Sequence, residues 1–380
     1  MKRVDSVISL IYSMSKAEKK AFSVQMLKDK EEKDYLVIYD IITKSKQLDS
    51  KNVKGEFHKR RPGGSFEVSI QYLYERLTDS LLTLRKKKDI YYDLLNNLCK
   101  ARMLYERSLF EECFEILSDT IEQATYYENN EVLTIALKLE LEYLLRLNFP
   151  NLAESELYHK HFMQNEALKK TRKIVEQSSL HNLLKYRLSH IGSIRTSKQK
   201  QDMNDLMVNE LSIAASSGIE GNFELMRNHR LFQANYLMGA GEYKAALNSY
   251  KELSRLFEQN RQFWSNPPIY YLSAIQGILD SLCIAGLYHE TPFFLSKLEE
   301  LTQNEYSTEF ILHLKTLIYI YKSNSLLQAG NFEQALELRD KQENELLKKV
   351  TSLGLESQLR LYLSFAVLGM YTKDYVQARK

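Results

Sequence analysis

Glycine and proline are scarce in this chain, with 13 and 5 among 380 residues. Both interrupt regular structure, glycine through its backbone freedom and proline through its fixed φ and missing N–H. Their scarcity argues against a β-rich or loop-rich protein. Leu, Glu, Lys and 25 tyrosines fill the periodic stretches instead. This composition is typical of long helices that pack through aromatic side chains.

Cysteine is also rare, with Cys99, Cys113 and Cys283 placed inside apolar helical patterns. They form neither a CxxC motif nor an even-numbered framework, which predicts buried free thiols in a reducing compartment. No apolar run approaches the ~20 residues that span a bilayer. The apolar start of the chain contains Asp5 and Ser9 and lacks a cleavage site of small residues. We interpret it as the first amphipathic helix of a cytoplasmic protein.

The chain also lacks a large excess of charge of either sign. Its 52 Lys and Arg residues are nearly balanced by 49 Asp and Glu residues, which gives a formal net charge of +3. For a chain of this size that value is near neutral. The overall charge therefore gives no reason to expect nucleic acid or an anionic membrane as partner, and local clusters have to be judged separately.

A short pattern recurs four times along the chain: a small residue, an aromatic two positions later, and another small residue three positions further on. It occurs, in order of decreasing similarity, at Gly241–Leu247, Ala329–Leu336, Ala285–Thr291 and Ser108–Cys113. Glycine tolerates the positive φ at a helix C-terminus, and a small residue lets the next helix approach closely. The pattern predicts a tight turn between two paired helices.

These turns resemble those of the tetratricopeptide (TPR) repeat, and the resemblance implies an all-α, right-handed solenoid of antiparallel helix pairs. The small residue that opens each second helix falls at Cys113, Ala153, Ala246, Thr291, Ala335 and Ala378. Successive markers are 40, 93, 45, 44 and 43 residues apart. The gap of 93 predicts one divergent repeat near 165–217, and 194–201 is expected to be a long loop. Because a regular TPR has 34 residues, we expect a degenerate, TPR-like solenoid.

Residues 1–88 follow a different pattern and are predicted to form a separate helical domain before a solenoid over 89–380. Ser15 and Glu18 have the spacing of a capping box, and a helix is expected over Phe66–Arg85. The strongest predicted break is Gly55–Gly64. Two stretches, Ser15–Phe22 and Tyr72–Leu77, resemble the opening of a bacterial TPR-containing family of unknown function.

The last predicted turn, Thr372–Ala378, is followed by only two residues, which are too few to form its second helix. Since a terminal repeat normally has a polar capping helix, the sequence predicts that the solenoid continues beyond Lys380.

No catalytic or metal-binding pattern stands out in the sequence. GxGxxG, P-loop, GxSxG and HExxH motifs are absent. Glu156 and His159 form one Glu-x-x-His unit, whereas a di-iron bundle needs two such units and two more carboxylates. His159 and His161 lie two positions apart and therefore point to different faces of a helix. We expect a protein that is not an enzyme and that holds no cofactor and no metal.

Two basic clusters, His58–Arg61 and Arg85–Lys88, offer a possible contact with nucleic acid. The second has a structural explanation, because cations at a helix C-terminus favour the helix dipole. The first is expected in a loop beside Pro62, where Lys59, Arg60 and Arg61 would reach phosphates. A solvated charge run is the simpler interpretation, and no helix-turn-helix precedes the cluster.

The TPR resemblance also implies a concave groove lined by the first helix of each pair. The positions equivalent to groove residues are Arg102, Glu142, Asn235, Asp280 and Asn324. Asparagine at such a position holds a peptide backbone in TPR grooves, and the alternative is a merely solvent-facing residue. The sequence therefore favours a scaffold or adaptor that binds a protein or a peptide. A transcriptional or RNA-associated regulator, with the repeats as sensor, is the alternative.

Overall fold

The computed structural model describes residues 2–26, 33–44, 49–86, 89–150, 152–192, 194–217 and 221–371. Within these ranges the chain forms α-helices and three short 3₁₀ segments, and no strand occurs. The predicted all-α class is confirmed. In chain order the helices are α1 (Lys2–Ser13), α2 (Lys16–Met26), α3 (Asp34–Lys44), α4 (Ser50–Arg60), α5 (Phe66–Lys86), α6 (Ile90–Glu106), α7 (Phe110–Tyr126), α8 (Asn130–Arg146), α9 (Glu154–Ile191), α10 (Ser197–Gln201), α11 (Asn204–Ser217), α12 (Phe223–Gly239), α13 (Tyr243–Gln259), α14 (Ile269–Ala285), α15 (Thr291–Thr302), α16 (Thr308–Gln328), α17 (Phe332–Lys348) and α18 (Leu355–Tyr371).

The chain divides into two compact units. The first comprises Met1–Lys88 together with Glu299–Ile320 and Glu337–Lys380. The second comprises Asp89–Leu298 together with Tyr321–Leu336. The domain division predicted from the sequence, 1–88 and 89–380, shares the boundary after residue 88 with these units. It differs in that two later segments group with the first unit.

In the first unit, α1 to α5 enclose a core of aliphatic and aromatic side chains. α5 spans the predicted helix and buries Phe66, Ile70, Leu73 and Leu77 at helical spacing. The predicted capping box is present before α2. The Ser15 N–H donates to Glu18 Oε2 at 2.8 Å, and the Glu18 N–H donates to Ser15 Oγ at 3.2 Å. The start of α2 is therefore set by local hydrogen bonds that the sequence already indicates.

The predicted break at Gly55–Gly64 is wrong over its first half, because α4 continues through Arg60. Asp49 caps this helix by accepting the Asn52 N–H at 2.8 Å. Val53 and Phe57, one turn apart, are fully buried. Burial of these two side chains outweighs the ~1 kcal/mol that an interior glycine costs a helix.

Six helix ends in the second unit share one turn geometry. At each end, one residue has a φ between 52° and 80°, and its N–H donates to the carbonyl of the residue three positions earlier. The N–H of the following residue donates to the carbonyl five positions before that following residue. This is the Schellman arrangement. The residues with positive φ are Ser108, Glu128, Asn148, Gly241, Gly286 and Gly330. All four predicted turns are confirmed. The turns at Glu128 and Asn148 have Asn130 and Pro150 two positions later instead of an aromatic residue, which explains why the pattern missed them.

The predicted helix contacts are confirmed at four of the six marker positions. Cys113, Ala246, Thr291 and Ala335 have no solvent exposure. Ala153 instead precedes α9 as an exposed N-cap residue. Ala378 and the last predicted turn, with the end of the chain, lie outside the described residues. A small side chain at the confirmed positions allows the paired helices to approach closely.

The region of the divergent repeat is organised differently from the prediction. α9 runs without interruption for 38 residues, Glu154–Ile191. The expected loop over 194–201 contains the short helix α10, which Thr196 and Gln199 begin with a capping box. The polar sequence was therefore a helix start rather than a long loop.

The prediction of three buried thiols holds only in part. Cys113 is buried, Cys283 is partly exposed and Cys99 is exposed. α6 buries Leu94, Leu98 and Ala101. Cys99 follows Leu98 by one residue, about 100° around the helix, and so lies off the buried face.

We predict opposite effects of two glycine-to-alanine changes. Gly286→Ala places a Cβ at φ 71°, which should lower the free energy of unfolding by about 1 kcal/mol. Gly55→Ala, inside α4 with nothing within 4 Å of the new Cβ, should raise it by about 0.5–1 kcal/mol. Urea unfolding followed by circular dichroism measures both. Changes of the same sign would contradict the turn geometry.

Candidate partner-binding surfaces

Asn235, a predicted groove residue, lies inside the second unit and is only 7% exposed. Its Nδ2 donates to the Leu231 carbonyl at 2.8 Å and lies 3.2 Å from His181 Nε2. Its Oδ1 accepts the Tyr250 hydroxyl at 3.2 Å. The side chain thus links α9, α12 and α13. The structure places this amide in the interior, and it corrects the expectation of an open groove at this position.

The groups around Asn235 are held in their uncharged forms. Burial, with Lys185 and Arg227 nearby, lowers the pKa of His181 to about 4. Burial, with the charge of Asp280, raises the pKa of Tyr250 above its usual range. A neutral His181 accepts through Nε2, which suits the Asn235 N–H. The arrangement is therefore a structural hydrogen-bond network.

A close backbone approach allows Tyr250 to reach this network. A Cβ at Gly277 would come within 2.4 Å of the Tyr250 ring, so only glycine leaves room for the ring against α14. Asp280, one turn later, accepts the Tyr321 hydroxyl through Oδ1 at 2.6 Å. A second predicted groove residue is therefore engaged within its own unit.

The other three predicted groove residues are more open. Arg102 pairs with Glu106 at 3.2 Å, and Glu142 pairs with Arg146 at 2.7 Å. Both are exposed pairs one helical turn apart, which contribute little to stability and can exchange for other partners. Asn324 is half-buried in α16. A common groove for these positions stays a prediction.

The basic cluster predicted for a loop lies at the end of α4. Lys59 and Arg60 are in its last turn and Arg61 is the C-cap residue. Each has a carboxylate partner: Lys59 lies 2.7 Å from Glu56, Arg60 3.1 Å from Asp40 and Arg61 3.7 Å from Asp34. The prediction of a loop is wrong, because α4 extends further than expected. These acidic partners would compete with phosphates for the same cations.

One face of α9 exposes six large apolar side chains, and we call it the α9 surface. The exposed fractions range from 47% to 69%. Its members are Tyr158, Phe162, Leu168, Val175, Leu183 and Tyr186. None of the sequence patterns considered above identified this surface. The α9 sequence does carry apolar residues at more positions than one buried stripe requires, and this excess could have indicated an exposed apolar surface.

Positive charge accompanies the α9 surface. Seven Lys or Arg residues and four Glu residues lie along the helix. Several of the cations form ion pairs. Lys169 pairs with Glu166 at 2.8 Å, and Arg172 with Glu176 at 2.9 Å. Two further pairs reach neighbouring helices and are Lys160–Glu140 and Arg187–Asp205. The helix therefore keeps a net positive charge beside its exposed apolar side chains.

Within the described ranges, no three potential ligands come together in a way that would hold a metal ion. No helix in the same part of the chain has the length and apolar character needed to cross a bilayer. Lys87 and Lys88 of the second basic cluster lie outside the described residues.

Comparison with protein-family models, curated proteins and solved structures found no match to this chain. The relationship to TPR proteins and to the bacterial family therefore stays a prediction from the residues themselves.

The buried His181 predicts a specific dependence of stability on pH. Its pKa is about 4 in the folded chain and 6.5 in its ordinary state, so between these values the unfolded chain binds more protons. Stability should therefore fall as the pH drops from 6.5 toward 4. His181→Gln, whose amide oxygen can accept the Asn235 N–H, should weaken this dependence. Thermal unfolding between pH 7 and 4.5 measures it.

His161→Gln is the matched control, because His161 is exposed on the same helix. It should leave the pH dependence of the wild type unchanged. His313 also has a lowered pKa through burial, so the comparison rests on the difference between variants. An unchanged pH dependence in His181→Gln would contradict the neutral state of this histidine.

Proposed function

We propose that this chain is a protein-binding helical scaffold and that the α9 surface is one of its binding surfaces. The supporting observation is the exposure of Tyr158 and Phe162, which lie one turn apart on α9 and are each more than 60% exposed. Contiguous apolar surface is rare on proteins that bind nothing, and it marks interaction sites. Tyrosine and phenylalanine are also effective anchors, because they bring a large contact area at low entropic cost.

The chemistry of the surface favours one class of partner, an amphipathic helix with acidic residues beside its apolar face. A long helix such as α9 offers ridges and grooves into which another helix packs. Lys169 and Arg172 lie among the apolar side chains, and their glutamate partners are only one turn away on the solvated surface. Such pairs exchange at little cost. Acidic residues of a partner would therefore replace them and set its orientation.

The groove predicted from the TPR resemblance is a second surface proposed for the same function. Arg102, Glu142 and Asn324 remain its accessible candidates, whereas Asn235 and Asp280 would act by holding the helices in register. We also propose a cytoplasmic location, since none of the three cysteines forms a disulfide, and no catalytic role.

Regulation through nucleic acid is the alternative, and the ion pairs of Lys59, Arg60 and Arg61 weigh against it. The triple change of these residues to glutamine tests it directly. If they contact phosphates, the slope of log affinity for duplex DNA against log salt concentration falls by roughly 0.9 per lost contact. We expect the unchanged chain to show no salt-dependent binding to duplex DNA, so the triple change should leave the slope unaltered. Low-micromolar, salt-sensitive binding abolished by the triple change would favour the alternative.

Selection of displayed helical peptides on the full chain tests the scaffold proposal. We expect enriched peptides to carry apolar residues at i, i+4 and i+7 with Asp or Glu beside them. The double change Tyr158→Ser and Phe162→Ser should then weaken a selected peptide by at least tenfold, since aromatic anchors contribute on the order of 2 kcal/mol. Fluorescence anisotropy measures the affinity.

Val208→Ser is the matched control, because Val208 is an exposed apolar residue of α11 outside the α9 surface. It should leave the peptide affinity unchanged. Loss of binding on Arg102→Ala with Glu142→Ala, but not on the α9 changes, would assign the function to the groove. Self-association of the chain through α9, detected by light scattering, would contradict a heterologous partner.

A further inference from the structure

A pocket of about 380 Å³ lies between α1, α4 and α5 of the first unit. We call it the N-terminal pocket. Its floor is apolar and is formed by Val4, Phe66 and Ile70, each less than 8% exposed. The volume is at the small end of the range for ligand sites, about 300–1,000 Å³. An apolar body placed on this floor would lose contact with water on the side that faces the floor.

Cations surround this apolar floor. Arg3, Lys51 and Lys54 line the pocket, and Glu67 is the one carboxylate among its lining residues. Lys54 Nζ lies 2.5 Å from Glu67 Oε1, and this hydrogen bond lowers the pKa of Glu67. Among the described residues, Arg3 and Lys51 form no ion pair. The lining therefore keeps two positive charges beside an apolar floor.

The two unpaired cations are placed to accept an anion. The Arg3 guanidinium stacks on the Tyr74 ring, with its carbon 4.3 Å from the ring centroid. Stacking occupies the face of the guanidinium and leaves its N–H donors open at the edge. Lys51 is exposed in the first turn of α4. Because Asp49 already caps that end of the helix, the attraction for an anion comes from side chains rather than from the helix dipole.

We infer that the N-terminal pocket binds a carboxylate carried on an apolar body. The apolar part would cover Phe66 and Ile70, and the carboxylate would pair with Lys51 and Arg3. An inorganic anion gains nothing from the floor, and an apolar amine meets like charge at the rim. The same chemistry occurs in a free aliphatic acid and in the apolar C-terminal residue of a peptide. This inference is independent of the proposed function of the second unit.

Calorimetric titration of the full chain with matched probes tests the inference. Octanoate should bind at least tenfold more tightly than octan-1-ol, octylamine or inorganic phosphate, and more weakly as salt screens the cations. N-acetyl-leucine represents a peptide C-terminus, and whichever acid binds more tightly identifies the source of the carboxylate. If neither acid binds saturably, or if octylamine binds as tightly as octanoate, the inference is wrong.

Variants connect the binding to the pocket. Lys51→Gln should lower the octanoate affinity about three- to fivefold, as expected for an exposed ion pair, and leave octan-1-ol unaffected. Lys59→Gln is the matched control, since Lys59 lies on the same helix outside the pocket lining. Gln71→Trp, at the pocket wall, should weaken both ligands by filling the space. Equal effects of Lys51→Gln and Lys59→Gln on octanoate affinity would overturn the assignment. Lys51 and Lys59 are both exposed, so neither change should prevent folding.

Discussion

The second unit depends on a single backbone constraint, one residue in the left-handed conformation at the end of a helix. The residue reverses the chain, and the two N–H groups at the turn satisfy carbonyls that the helix end leaves without partners. At Ser108, Glu128, Gly241 and Gly330 the next helix starts two residues later, so its first turn must pass close to the preceding helix. Ala246 and Ala335 are fully buried for this reason.

The Gly241 turn joins α12 to α13, which brings Tyr250 near Asn235 in the interior. Gly277 of α14 leaves room for the Tyr250 ring on its other side. The Tyr250 hydroxyl then meets Asn235 instead of water, and Asn235 in turn contacts His181 of α9. Unsatisfied polar groups would be costly at this depth. The network therefore fixes which side chains of α9, α12 and α13 face one another.

Most features that the sequence predicted depend on neighbours in the chain, and most of those that it missed depend on distant residues. The glycine turns and the Ser15–Glu18 capping box are local and were identified. The turn at Glu128 has a non-glycine residue whose carboxylate accepts the Phe223 N–H at 2.8 Å, 95 residues away. No local pattern reveals such a bond. The burial of Asn235 and the extent of α4 were missed for the same reason, because tertiary packing decided them.

α9 continues through a region where a turn of this kind would otherwise divide it into two helices. The helices α6, α7, α8, α12, α13 and α14 have 17 residues each. α9 has 38, about the length of two such helices and a short turn. Around its middle, over Lys169–Val175, the sequence lacks the pattern of a small residue, an aromatic two positions later and another small residue. The helix continues there, and one long element stands where a pair would otherwise form.

The length of α9 has a consequence for its surface. Only Ala167, Gln177, Leu180 and Leu184 are buried along the helix, so most of its circumference faces solvent. A helix in that situation is normally polar outside its buried stripe, and folding gains nothing from Tyr158 or Phe162 in water. Exposed aromatic side chains instead increase the tendency to aggregate. Their exposure along α9 fits the proposed partner, which would cover them.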